Sequence, residues 1–137
     1  MIINAENLIL GRMATFVAKK ALQGEEIIII NCEKAVVIGK RQNVLSIYKV
    51  KKKVRDVFKG PFFPRRPELI VKRTIRGMLP YKQPKGREAV KRIKCFQGIP
   101  TGLKDKNYET IDNAKLAEDK IKFLTIAKIS EQIGHKT

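Results

Sequence analysis

Glu25-Glu26-Ile27-Ile28-Ile29-Ile30-Asn31-Cys32 decides the fold. A continuous run of β-branched residues reads as a strand buried on both faces, as in a parallel sheet. Residues 1–4 are short and apolar and read as another strand. Between them, Met13, Phe16, Val17 and Ala21 fall at i, i+3, i+4 and i+8, one face of a helix from about Arg12 to Leu22. Gly11 opens that helix by permitting a tight turn out of the strand, and Gly24 suits a left-handed stop after it. Strand, helix and strand in this order make a βαβ unit with a right-handed crossover. Ala35–Ile38, ended by Gly39, is a further short apolar run.

Beyond Gly39 the pattern changes. Val44, Ile47, Val54 and Phe58 keep roughly heptad spacing over 40–58, which predicts a helix with Lys49, Lys52 and Lys53 turned away from its apolar side. Lys59-Gly-Pro-Phe-Phe-Pro-Arg-Arg-Pro67 excludes helix and central strand and reads as an extended basic loop. With the lysines before it, it forms a basic, Pro- and Phe-containing segment over 51–67. Pro67-Glu68 begins the next helix, running to about Gly77. Its Val71, Ile75 and Leu79 form an apolar stripe, and its Lys72, Arg73 and Arg76 a basic one. A further helix is expected over Lys85–Arg92, with Val90 and Ile93 inward. Arg87, Lys91 and Lys94 then share one face. Cys95–Gln97 reads as a strand. The segment 107–137 ends in a helix capped by Thr125, with Ile126, Ile129 and Ile133 buried and Gly134 as its stop.

The chain has 137 residues, a length suited to one domain over 1–137. Hydrophobic residues make up 43%, ordinary for a folded protein. The longest pure apolar run, Ile27–Ile30, is far below the roughly 20 residues of a membrane helix, so no membrane partner is expected. The opening Met1-Ile-Ile-Asn-Ala-Glu6 lacks the basic-then-apolar order of a secretory signal. Cys32 and Cys95 form no CxxC and read as buried or free thiols in a reducing cytosol, with no metal site.

The net charge is +17, and its placement is uneven. Residues 1–38 carry four basic and four acidic groups, and residues 107–137 five of each. The segment 39–106 holds 21 basic groups against Asp56, Glu68, Glu88 and Asp105. Like charge at this density repels itself unless a polyanion offsets it, and nucleic acid gains affinity by releasing a counterion for each phosphate neutralised. A heat-adapted surface would pair its lysines with glutamates, and this segment lacks them.

The chemistry of catalysis is missing. Gly39-Lys40 has Lys34 where a phosphate-binding loop needs its first glycine and Arg41 where it needs a hydroxyl. Gly11 stands alone, so the βαβ unit carries no dinucleotide fingerprint. Glu68 and Glu88 fall in first turns of helices, where a carboxylate offsets the dipole, and they do not form the convergent set of a metal-dependent nuclease. His135 is the sole histidine and sits near the end of the last helix. No catalytic residue, metal, cofactor or small-molecule substrate is expected. Phe58, Phe62 and Phe63 lie among Lys59, Arg65 and Arg66, where aromatics either stack on unpaired bases or pin the loop to the domain.

Ile75-Arg-Gly-Met-Leu-Pro80, followed by Gly86-Arg87 and Ile93-Lys-Cys-Phe-Gln-Gly98, resembles the signature of the large-subunit ribosomal protein L-thirteen family. Ala5-Glu-Asn-Leu-Ile-Leu-Gly-Arg-Met-Ala14 and Val36-Val-Ile-Gly39 resemble the opening of the same family, so the resemblance spans about 1–100. Arg73-Thr-Ile-Arg76 and Tyr81-Lys-x-Pro-Lys-Gly-Arg87 are similar to its archaeal and eukaryotic branch. Ile99-Pro-Thr-Gly102 replaces the His-rich bacterial stretch. The resemblance implies an α/β fold, a three-layer α/β/α sandwich around a small, mostly parallel four-stranded sheet. It also implies a structural constituent of the large subunit, cytoplasmic and in the ribosome, that binds large-subunit rRNA during assembly and has neighbouring large-subunit ribosomal proteins as partners.

The residues expected to meet phosphates are Lys49, Lys52, Lys53 and Arg55, then Arg65 and Arg66 on the loop, then Arg73, Arg76, Lys82, Lys85, Arg87, Lys91 and Arg92. A charge-balanced core from 1–38 and 107–137 would hold them in place. Such contacts position a protein, while RNA shape supplies specificity. The competing readings are an enzyme acting on RNA, which needs converging carboxylates or a cofactor, and a DNA-coating protein.

Overall fold

The structure, a computed structural model, describes residues 1–54, 58–117 and 121–135. In chain order these residues form β1 (Ile2–Asn4), α1 (Leu10–Leu22), β2 (Ile27–Ile30), β3 (Val36–Ile38) and α2 (Arg41–Lys53). There follow α3 (Pro67–Gly77), α4 (Pro84–Lys91), β4 (Ile93–Cys95), β5 (Phe123–Thr125) and α5 (Ile126–Gln132). Among the described residues no helix is long and apolar enough to cross a membrane.

The isoleucine run takes the place its composition demands. β2 lies between β1 and β4, parallel to both, with Ile3 opposite Ile29 and Ile29 opposite Cys95. Ile27, Ile29 and Ile30 are fully buried. The outer edge of β1 is covered by the chain near Glu109: the Asn4 amide donates to the Glu109 carbonyl at 3.1 Å, and the Glu109 amide to the Ile2 carbonyl at 2.8 Å.

In place of one four-stranded sheet there are two. β3 leaves the parallel sheet and pairs antiparallel with β5, Val36 opposite Thr125 and Ile38 opposite Phe123. Asn31 adopts φ 54°, and Cys32–Lys34 form a single 3-10 turn, so the chain leaves the parallel sheet directly after β2. Residues 31–35 are far too few for a parallel return, which takes about a dozen residues or more. A single bridge, Ile9 to Val36, links β3 to the start of α1.

Several local expectations shift. Gly11 lies inside α1 and has no left-handed φ; Asn7, at φ 58°, makes the turn out of β1. The buried face of α1 is Leu10, Met13, Ala14, Val17, Ala18 and Ala21, with Phe16 half-buried. In α2 the heptad reading fails: Val44, Leu45 and Tyr48 are buried, while Ile47 and Val54 are exposed and Phe58, beyond the helix, is 90% exposed. A 13-residue α-helix follows the 3.6 period, and Val44, Leu45 and Tyr48 obey it better than a seven-residue repeat does. α4 stops at Lys91, so Lys94 belongs to β4 and not to the helical face of Arg87 and Lys91. β4 itself is Ile93–Cys95, two residues earlier than Cys95–Gln97.

The core is not confined to the charge-balanced ends. Ile70, Val71 and Ile75 of α3, Ala89 of α4 and Ile93 of β4 are buried in the same cluster as Ile3, Ile29 and Ile129. The basic elements are therefore part of the frame, each with one face inward. α5 behaves as read: the Thr125 hydroxyl accepts from the Lys128 amide at 3.5 Å, Ile126, Ile129 and Ile133 are buried, and Gly134 turns at φ 103°. Cys32 is buried, Cys95 half-buried, and neither is bridged. The Cys32 thiol donates to the Ile29 carbonyl at 3.7 Å, and the neighbouring Cys95 thiol together with burial pushes its pKa up.

Candidate nucleic-acid interface

α3 sets the centre of the basic surface. Pro67 at its first turn fixes φ without wasting a donor, and Arg66 Nε forms an ion pair with Glu68 Oε1 at 2.8 Å. Glu68 is buried, so the one acid in this helix is neutralised locally and offsets the helix dipole, as its position suggests. Burying Ile70, Val71 and Ile75 leaves Lys72, Arg73 and Arg76 towards the outside.

Those three cations do not do the same thing. Arg73 Nη1 donates to the Phe62 carbonyl at 3.2 Å, and its guanidinium carbon lies 5.0 Å from the Phe63 ring centre. Phe63 in turn meets Tyr48 of α2 edge-on, at 5.9 Å between ring centres. Phe63 thus pins the loop between α2 and α3, while Phe62 is 58% exposed. Arg76 lies over the Tyr81 ring at 5.0 Å and is exposed. Lys72, Arg73 and Arg76 border a groove of about 270 Å³ with Pro64, Leu69 and Val90. Three cations on one small concave surface suit a phosphate.

α2 contributes Lys49 and Lys53, both exposed and one helical turn apart. Lys52, half-buried, and Arg65, exposed, both reach the end of α5: a Cβ on Gly134 would lie 3.2 Å from Lys52 Nζ and 3.6 Å from Arg65 Nη1. Cations there complement the carbonyl end of the helix. The Ser130 hydroxyl holds the Arg65 carbonyl. Arg55 lies outside the described residues.

Lys82, Lys85, Arg87 and Lys91 are exposed on α4 and the turn before it. Arg92 points inward: its Nη1 donates to the Ala21 carbonyl at 3.1 Å, at the end of α1, and its Nη2 lies 3.8 Å from Glu88 Oε2. Gly86 explains how α4 comes so close to the preceding turn: a Cβ there would fall 1.9 Å from the Pro80 carbonyl oxygen.

The predicted cations therefore divide. Arg73, Arg92 and Arg66 contact the protein's own structure, while Lys52 and the exposed Arg65 side chain sit at the end of α5. Lys49, Lys53, Arg76, Lys82, Lys85, Arg87 and Lys91 face outward. Two cations missing from the predicted set join the surface: Lys72, and Lys51, whose Nζ lies 5.0 Å from the Tyr48 ring and 5.9 Å from the Phe63 ring. Lys72 was signalled by the spacing of the basic stripe on α3. A wider groove of about 620 Å³, between α1 and residues 109–114, lies on the charge-balanced part of the chain and includes none of the predicted contact residues.

Comparison with known proteins decides the family. The family model for ribosomal protein L13 matches residues 1–102. The chain belongs to the ribosomal protein L13 family. Large ribosomal subunit protein uL13 of Methanosarcina barkeri is 45% identical to it over 137 residues, covering 98% of both chains. The uL13 of Methanococcus maripaludis is 43% identical over 141 residues, covering 99% of this chain and 98% of its own. That of Archaeoglobus fulgidus is 42% identical over 139 residues, covering 98% of this chain and 88% of its own. Similarity to these L13 family members therefore extends through the tail after Gly102, where no motif is apparent. An L13 family member is a structural ribosomal protein and not an enzyme.

Proposed function

We propose that the protein acts as one unit in the large ribosomal subunit of the cytoplasmic ribosome, where it binds large-subunit rRNA and supports subunit assembly and thereby translation. The bound face is built by α2, the loop over 58–66, α3 and α4, with helices layered on the sheets as a three-layer α/β/α sandwich. Its partners are large-subunit rRNA and neighbouring large-subunit proteins.

One observation carries this reading. On this face, the acids that lie close to cations are engaged within the protein, Glu68 by Arg66 and Glu88 beside Arg92. Lys49, Lys53, Lys82, Lys85, Arg87 and Lys91 stay exposed and have no ion-pair partner among the described residues. Rigid packing beneath them keeps the cations apart and outward, which favours a phosphate backbone over internal pairing. Arg92 supports that surface from behind, and Arg73 both holds the loop and borders the grooves.

Titrating salt against affinity for large-subunit rRNA fragments tests the proposal. With about 6–10 phosphates engaged, affinity falls roughly 10³–10⁵-fold between about 50 and 200 mM salt. A flat response contradicts it, and so does a preference for duplex DNA over structured rRNA at equal salt.

A further inference from the structure

Val50 and Val54 of the α2 end, Pro61 and Phe63 of the loop, and Arg73 and Gly77 of α3 line a second groove, of about 560 Å³. Its walls are largely apolar, and Val50, at 56% exposure, stays open to solvent despite its chemistry. Two cations are fixed at its border by rings, Lys51 over Tyr48 and Phe63, and Arg73 over Phe63. Among the described residues no carboxylate lines it. A ligand matching both features carries a flat, weakly hydrated face and an anionic group a few ångströms away. Its volume suits a small organic ligand, since such sites run to about 300–1,000 Å³.

We infer that this groove holds a single unpaired nucleotide of an RNA, its base against Val50, Pro61 and Phe63 and its phosphate on Lys51 and Arg73. The inference rests on the RNA-binding reading above and adds the point at which a feature other than backbone charge is read. A regular duplex does not fit. Its base faces are covered by their neighbours, and pressing phosphates against Val50 and Val54 would strip their water without replacement. A base swung out of the stack exposes both faces, and aromatic or guanidinium planes are what such bases commonly meet.

The test uses the full chain and two RNA duplexes of equal length. They are identical except that one carries a single bulged 2-aminopurine nucleotide, and affinity is measured at equal salt. The bulged RNA should bind about 10-fold more tightly, with a change in 2-aminopurine fluorescence. Gly77→Leu fills the groove without altering charge, and a Cβ at Gly77 meets no atom within 4 Å. It should bring the two affinities together. Val50→Gln, at an exposed position, should lower the preference independently. Equal, steeply salt-dependent affinities for the two RNAs overturn the groove assignment alone, as does a preference that survives both substitutions. Loss of salt-dependent binding to either RNA removes the underlying reading as well. A glutamate-rich peptide that binds more tightly than the bulged RNA, and loses that binding in Gly77→Leu, gives the groove to an acidic protein segment and also overturns it.

Discussion

The Arg73 guanidinium lies over the Phe63 ring, 5.0 Å from its centre, and from there donates to the carbonyl of Phe62 at 3.2 Å. One side chain of α3 thus fixes two consecutive residues of a Pro-rich loop. The loop has few other means of order, since its prolines cannot donate hydrogen bonds. Arg73→Ala should therefore free the 58–66 segment and cost about 1–2 kcal/mol. Limited proteolysis should show faster cleavage within 58–66, with a small fall in the urea midpoint. Arg73→Lys should not restore protection, because an ammonium lacks the planar fork that stacks and donates together.

Arg92 and Arg87 are five residues apart and differ in kind. Arg92 caps the end of α1 through the Ala21 carbonyl, whereas Arg87 is exposed. Arg92→Ala should lower stability by about 1–2 kcal/mol, because the Ala21 carbonyl keeps its bond from the Gly24 amide but loses the charged donor. Arg87→Ala should leave the unfolding midpoint in place and reduce the slope of log affinity against log salt by about 1. Urea unfolding and salt titration of both variants distinguish the roles.

Gly86 and Gly77 make a matched pair. A Cβ at Gly86 would overlap the Pro80 carbonyl group and come within 2.8 Å of the Tyr81 amide nitrogen, all backbone atoms that cannot swing aside. Gly86→Ala should cost about 2–3 kcal/mol or more, since backbone must shift. Gly77→Ala, with open space and a helical backbone, should gain about 0.5–1 kcal/mol. Thermal unfolding of the two variants should move in opposite directions.

Burial holds the Tyr48 phenol above its ordinary pKa. As pH rises, the unfolded chain releases this proton first, near about pH 10, while the folded chain keeps it. The stability tied to this proton is whole below about pH 10 and falls as pH climbs from there towards the folded value. Tyr48→Phe lacks that component. Urea midpoints at about pH 8 and 10.5 should show a larger alkaline loss in the wild-type chain than in Tyr48→Phe.

The parts of the fold that were legible are those where composition and position agree. Ile27–Ile30 could only be a strand covered on both sides, and the helix between it and β1 announced itself by its spacing. Thr125 and Gly134 bounded α5 for the same reason, since caps are local chemistry. The second sheet was not legible. β5 is three residues, Phe123–Thr125, in a polar tail, and its partner β3 leaves the parallel sheet at Asn31, a left-handed residue that is not a glycine. In α2, apolar residues occur on both sides, so spacing alone could not choose the buried one. On the surface, the cationic character of 39–106 was plain from composition, but which cations are free was not. Arg92 bonds a carbonyl 71 positions away, and Arg73 a loop whose path only tertiary packing defines.

The central claim is that outward cations on α3, α4 and the turn between them seat the protein on large-subunit RNA. Replacing Arg76, Lys82, Arg87 and Lys91 together with glutamine removes four exposed charges and leaves the buried core and the Arg73 and Arg92 contacts in place. Sedimentation of large subunits assembled with this variant is the most direct measurement. The account predicts that the folded variant stays at the top of the gradient while the wild-type chain travels with the subunit and is released at high salt. Wild-type levels of the variant in the subunit peak would contradict it.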